Sequence, residues 1–295
     1  MYSQITANKQ KSVFLIVFFI ALVVGLGWFI DRYYQAGGSI LVIALLYSLV
    51  SAGVSYFAGD KIALATSGAK EIKKSDYPEL YRLIENLCIA DGIPMPKIHV
   101  IEDPAPNAFA TGRTPQTASI AFTTGLLQQL TRTELEGVAA HELSHVKNYD
   151  TRVMAIVLVL VGVVAVMADI FLRVSWFGGD RRRDREGGGI LMIIGLVAII
   201  LAPIVAQLVK LAISRRREYL ADASGALLTR YPEGLANALV KIGAYDQPMR
   251  RTSSASAHLY ISNPFGARSK LTNLFSTHPP IEERIKALRQ MGIKP

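Results

Sequence analysis

His141, Glu142 and His145 stand in the pattern His-Glu-x-x-His. On a helix of about 3.6 residues per turn the two imidazoles lie one turn apart on one face, where both can reach a single ion with Glu142 beside them. Zinc suits such a pair. It takes neutral imidazole nitrogens, keeps a position open for water and lowers that water's pKa, while a carboxylate just outside the ligand shell takes the proton. Glu142 is the candidate for that base. A catalytic zinc needs a third protein ligand, and the best candidate is Glu218, in Ser214-Arg-Arg-Arg-Glu-Tyr-Leu-Ala-Asp222. Asp222 follows one turn later on the same helix face, placed to accept the free N–H of a ligating histidine and so fix its tautomer. The competing reading is an ordinary helix with two histidines and, further on, two carboxylates that balance the preceding arginines. Both segments abut long apolar stretches, which argues for a shared site at one membrane face.

The elements that must position these residues are legible around them. Thr131 or Thr133 can cap the helix, Glu134 or Glu136 three residues on can close a capping box, and Leu135, Val138 and Ala139 supply a buried face. No Gly or Pro interrupts residues 138–161, so this helix is expected to run nearly straight towards the bilayer. Upstream, Ser75 is the expected cap of a helix carrying Leu80, Leu83, Ile84 and Leu87, and Gly92 ends it. A strand is predicted over 97–101 and another over 117–122, with Asn107-Ala108-Phe109-Ala110-Thr111-Gly112 between them as an exposed strand beside the zinc helix. Its backbone could take an extended peptide by strand addition. Residues 216–229, 232–245 and 280–291 read as helices.

With 51% hydrophobic residues, 19% charged residues and a mean hydropathy of +0.31, the 295-residue chain is too apolar for a soluble domain and too charged to be all membrane. Apolar runs fall at 12–30, 39–57, 153–172 and 190–213, each long enough to cross a bilayer. The fold class expected is an α-helical membrane protein with four hydrophobic helices and a mostly helical α+β catalytic domain holding a small sheet. Its organisation is a transmembrane hairpin at 1–60, a first catalytic part at 61–151, a second hydrophobic pair at 152–213 and a second catalytic part at 214–295. The net charge of +9 sits largely beside the apolar runs, at Lys9, Lys11, Lys61 and Arg215-Arg216-Arg217, so lipid headgroups rather than nucleic acid are its counterpart. These charges put the N-terminus and the globular part on the cytoplasmic side. The arginine-rich stretch 173–189 runs against that rule, and either two crossings or a buried hairpin is compatible with it. The single cysteine, Cys88, reads as core, and the N-terminal run reads as a retained anchor.

Four motifs together resemble the HtpX-like membrane zinc metallopeptidases, relatives of the CAAX prenyl endopeptidases. They are His141-Glu-Leu-Ser-His145, Arg217-Glu-Tyr-Leu-Ala-Asp222, Asn107-Ala-Phe-Ala-Thr-Gly112, and Ser276-Thr-His278-Pro-Pro280 with Arg284. The resemblance implies a zincin-like domain, one zinc on two His and one Glu, polypeptide substrates, and quality control of membrane proteins in a prokaryotic inner membrane. It also places His278 and Arg284 near the site, where either could donate to the oxyanion that forms on the scissile carbonyl. His99 and His258 fall outside the motifs. A CAAX-type peptidase would want a larger membrane chamber than four spans build. A non-catalytic adaptor with a structural zinc lacks a fourth ligand, and a transporter lacks paired ionisable groups deep in its spans.

Overall fold

The two apolar runs nearest the N-terminus form a helical hairpin. Helix α1, Tyr2–Tyr34, has 33 residues and so is about 50 Å long, well beyond the roughly 30 Å of a bilayer's hydrocarbon core. Helix α2 is Ser39–Ser67. Between them Gln35, Gly37 and Gly38 take positive φ, and the Asp31 carboxylate accepts the N–H groups of Gly38 and Ile40, which caps α2 from across the turn. In this computed structural model the residues described are 2–177, 215–252, 255–266 and 279–291. Segments Gln4–Tyr33 and Ser39–Ser67 are long and apolar enough to cross a membrane. Their outward faces leave Val13, Phe14, Val17, Ile43, Leu46, Val50 and Phe57 exposed, as lipid would require. Trp28 and Tyr33 stand exposed near the hairpin end.

The inward face of α2 is a stripe of small residues, Ser48, Ser51, Ala52, Ser55, Gly59 and Ala63. Small side chains let helices approach closely, and the Ser55 hydroxyl donates to the Ile156 carbonyl of the third apolar helix at 3.2 Å. That helix, α6, covers Asp150–Phe177. Its Val153, Ile156, Val157 and Leu160 pack on Leu15, Phe19 and Val23 of α1. The fourth expected apolar segment, 190–213, lies outside the described residues. Helix α2 runs on past Lys61 to Ser67, and its Ala63 is buried with Phe109, Met154 and Leu158.

The globular part is built on a four-stranded sheet in the order β1-β2-β4-β3. These strands are β1 Lys70–Glu71, β2 Lys97–Ile101, β3 Ala108–Thr111 and β4 Ser119–Thr123. β2 and β4 are parallel, whereas β1 on β2 and β3 on β4 are antiparallel, so β3 is an edge strand. The helices are α3 Pro78–Asp91, the short α4 Thr124–Gln129, α5 Arg132–Lys147, α7 Arg215–Thr229, α8 Pro232–Gly243 and α9 Ile281–Met291. One core joins Leu83, Ile84 and Leu87 of α3, Ile98, Ile120 and Phe122 of the sheet, Val138 and Leu143 of α5, and Leu235 and Leu239 of α8. Cys88 is buried there, as expected. Ser75 is not the cap of α3. Tyr77 holds that position and Pro78 opens the first turn, where a missing N–H costs nothing, while the Ser75 hydroxyl donates to Asp76.

The continuous helix expected from α5 into the bilayer is broken. Asn148 caps α5, and Tyr149 takes a left-handed φ of 61° before α6 starts at Asp150. Two cations hold the Tyr149 ring in that turn, Lys9 Nζ and the Arg152 guanidinium, each 4.9 Å from its centroid. Neither Gly nor Pro was needed for the break, which is why the pattern did not reveal it.

Candidate metal centre

Helix α5 is fixed at its start by the capping box of Thr131 and Glu134. The Glu134 carboxylate accepts the Thr131 N–H at 2.7 Å and an N–H of Lys241 on α8 at 2.7 Å, which joins cap to neighbouring helix. Further along, α7 crosses α5 at Gly225. A Cβ there would stand 3.0 Å from the His141 nitrogen, so the absence of a side chain sets how near the two helices come. That closeness carries Glu218 to the histidines. His141 Nε2 and His145 Nε2 are 3.2 Å apart. Glu218 Oε2 lies 3.8 Å from His141 Nε2, and its Oε1 lies 3.6 Å from His145 Nε2. All three residues are buried, and their candidate ligand atoms lie within 4.8 Å of one another.

The outer ring nitrogens are both committed. His141 Nδ1 is 2.9 Å from Asp222 Oδ1, and His145 Nδ1 is 2.9 Å from Asp150 Oδ2. Each carboxylate accepts a hydrogen bond from the Nδ1–H, so both Nε2 lone pairs face inward together with a carboxylate. Three acceptors turned on one another call for a cation. A tetrahedral zinc at roughly 2.0–2.1 Å from each ligand would separate them by about 3.3 Å, close to the spacing found, and the donor set of two imidazoles and one carboxylate suits it. Without a metal the same demand falls on protons. Burial disfavours charge on His145, yet its hydrogen bond to Asp150 and the nearby Glu218 raise it to about 9. His141 is lowered by burial, against the pull of Asp222.

Glu142 is buried beside this cluster. Burial pushes its carboxyl up to about 7; His145 opposes the rise, Glu218 adds to it, and a hydrogen bond from the Ala110 N–H holds it down. The candidate base thus faces β3. Thr123 N–H donates to Asn107 C=O, and the antiparallel alternation then turns the N–H and C=O groups of Ala108 and Ala110 to the free edge. The Ala108 carbonyl accepts the Ile261 N–H at 3.0 Å, which covers one end of that edge. Phe109 points into the core against Tyr260. The Asn107 side chain holds the same covering loop, its Nδ2 donating to the Ser262 carbonyl at 3.0 Å. β3 was read as exposed, but it is buried along its whole length, Phe109 against Tyr260 and Ala110 beside Ala118 and Val146.

Arg284, expected near an oxyanion, has other partners. Its Nε and Nη2 donate to Asp222 at 2.9 and 2.7 Å, its Nη1 donates to the Ile261 carbonyl at 3.1 Å, and it is fully buried. Burial works against charge on Asp222, but Arg284 and the His141 N–H hold its carboxyl at about 2. His278 lies outside the described residues. His258 Nε2 is 3.0 Å from the Met154 carbonyl, and His99 sits in β2, both away from the cluster.

The sequence reading missed three residues. Asp150 is five residues past His145, about 140° round a continuous helix, and only the break at Tyr149 turns it back. Arg217 was taken as membrane-flanking charge, but it is buried and donates to Asp150 at 3.0 Å. Asn8, on α1, donates to the same Asp150 oxygen at 2.7 Å, and no local pattern marks it.

Known proteins share this arrangement of segments. The sequence profile of Peptidase family M48 matches residues 74–292. The protease HtpX homologue of Caldanaerobacter subterraneus subsp. tengcongensis is 45% identical over 297 residues, covering 99% of this chain and 98% of that protein. That of Tropheryma whipplei strain Twist is 47% identical over 292 residues, covering 99% of each. The crystal structure of S. mikatae Ste24p superposes with a TM-score of 0.52 at 18% identity, covering 98% of this chain and 67% of that one, a likeness of fold. Two apolar helices of spanning length, a buried His-Glu-x-x-His helix and a match across most of the chain thus agree, and the chain belongs to peptidase family M48, as an integral-membrane metalloprotease.

Proposed function

We propose that this protein is a zinc endopeptidase that cuts unfolded or misfolded polypeptides, membrane proteins among them, at the cytoplasmic face of a prokaryotic inner membrane. The observation that carries this reading is the convergence of His141 Nε2, His145 Nε2 and the Glu218 carboxylate, with both outer histidine nitrogens tied to carboxylates and Glu142 alongside. One zinc held by these three ligands would supply a Lewis acid for the scissile carbonyl and for the attacking water. Glu142 takes the proton from that water on a carboxylate oxygen and returns it to the leaving amine, so no covalent intermediate forms. Asp222 holds the Nδ1 proton of His141, and Arg284 holds Asp222 rather than donating to an oxyanion. An extended chain would pair on the edge of β3 at the Ala110 carbonyl, because the Ala110 N–H is turned to Glu142, the Ala108 carbonyl is already taken and the Asn107 side chain is engaged with the covering loop. Lys9 and Lys11 before the first span and Lys61 near the end of the second support the cytoplasmic orientation. The relatives' shared name, protease HtpX homologue, supports the protease activity.

The test uses full-length protein in vesicles. Wild type should copurify with one zinc. Glu142→Gln should keep the metal and lose hydrolysis of an unfolded substrate by at least about a hundredfold, because the amide keeps the shape and loses the proton acceptor. Comparable cleavage by the variant would remove Glu142 as the base. An unfolded segment next to a membrane anchor should be cut faster than the same segment placed far from it. Equal rates would mean that membrane proximity does not select the substrate.

A further inference from the structure

The apolar length of α1 begins at about residue 12, yet the helix starts at Tyr2 and projects nearly three turns out of the apolar zone. On that projection Lys9 and Gln10 are exposed, whereas Asn8 is 1% exposed. An amide buried without partners costs about 1–3 kcal/mol, so its partners identify what it does there. Asn8 Nδ2 donates to Asp150 Oδ1 at 2.7 Å and to the Asn148 carbonyl at 2.9 Å, and Asn8 Oδ1 accepts from Arg217 Nη1 at 3.4 Å. These three partners belong to three site-bearing segments. Asn148 closes the helix of His141 and His145, Asp150 holds His145 Nδ1 through its other oxygen at 2.9 Å, and Arg217 directly precedes Glu218.

We infer that the first membrane helix is part of the metal site, with Asn8 a positioning residue that acts on His145 through Asp150. The inference rests on the metal reading above and deepens it. Asp150 can orient His145 only if its own rotamer is fixed. Arg217 supplies one donor to Asp150 Oδ1 at 3.0 Å, and Asn8 supplies the other from a direction that only α1 reaches. The Asn148 contact adds a second constraint, holding the end of α5 against the same amide. α1 is seated by its packing on α6 and by the bilayer, so the setting of His145 depends on how α1 sits in the membrane. In related metal sites, loss of a group that orients a ligating histidine weakens metal binding about ten- to a hundredfold. Asn8 lies one bond further out, and its loss belongs at the lower end of that range.

The experiment measures zinc affinity of full-length protein in nanodiscs by competition with a chromophoric chelator, with circular dichroism of the metal-free forms to establish folding. Asn8→Ala should weaken zinc about tenfold, while Ser12→Ala, buried one turn on along the same helix, should leave it within about twofold. Asn8→Asp is nearly isosteric but turns an acceptor towards Asp150 and the Asn148 carbonyl, so it should lose at least as much affinity as Asn8→Ala. A role in packing alone would make Asn8→Asp the milder change, and that ranking would overturn the proposal. Wild-type affinity in both Asn8 variants, with affinity lost in Asp150→Ala, would also overturn it and reduce α1 to an anchor. Wild-type affinity in His145→Ala would instead sink the metal reading, which separates the two failures.

Discussion

Arg284 and Asp222 form the most demanding interaction in the site, because both are buried and each satisfies the other's charge. Arg284 also stands 3.8 Å from Glu218, so one cation faces a histidine-orienting carboxylate and a candidate ligand together. Breaking a buried pair from one side leaves the other charge uncompensated and costs about 3–5 kcal/mol. Arg284→Met and Asp222→Asn should therefore each destabilise the protein by amounts of that order. The double variant should cost clearly less than the sum, since neither charge is then stranded. Denaturation of the metal-free proteins measures this cycle, and additive losses would show that the two side chains do not act as a unit. Asp222→Asn should also lower zinc affinity by roughly ten- to a hundredfold through His141.

At the scale of elements, the site depends on one helix crossing. Helices α5 and α7 are far apart in the chain, and their candidate ligands meet because Gly225 lets the backbones approach at His141. Gly225→Ala would place a methyl group 3.0 Å from the His141 nitrogen and 3.3 Å from the Ala140 carbonyl carbon, against backbone that cannot turn aside. Overpacking of this kind costs about 1–3 kcal/mol, and here the shift also draws Glu218 from the histidines. The variant should have both a lower melting temperature and weaker zinc retention. Gly53→Ala on α2, where an added methyl group meets nothing within 4 Å, should do neither. Unchanged zinc retention in folded Gly225→Ala would mean that the crossing distance does not set the ligand geometry.

For the whole molecule, the bilayer and the site share their scaffold. α6 leaves the site at Asp150 and packs beside α1 through Val153–Val164, in the same layer as Leu15, Phe19 and Val23. Its 28 residues give it about 42 Å, enough to cross. Glu218 and His145 lie at one site, so a crossing by α6 requires a second crossing before Arg215. The prediction is that cysteines replacing Gly178 or Gly188 are labelled from the side opposite the catalytic domain, despite the arginines at 181–183 and 185. Labelling from the catalytic side would make the second apolar pair a hairpin that does not cross. The native Cys88 is buried in the core, and Cys88→Ala is the background for the experiment.

The candidate metal cluster was legible in the sequence because it depends on periodicity. Residues four apart share a helix face, so His141 with His145 and Glu218 with Asp222 were readable as pairs before any fold was known. Helix ends were readable where the chemistry is local, at Thr131 with Glu134 and at Gly92. The apolar runs likewise announced a membrane protein, since a span depends on length and composition alone. Tertiary structure decided what depends on distant partners. Tyr149 breaks the helix in the grip of Lys9 and Arg152, and no residue near it in the pattern signals the turn. That break converts Asp150 from the far side of a helix into the partner of His145. Burial then turned Arg217 from a membrane-flanking charge into part of the Asp150 network, and gave Arg284 to Asp222. Asn8 is the furthest case, a polar residue in an exposed-looking basic start whose role exists only once α1, α5, α6 and α7 have met.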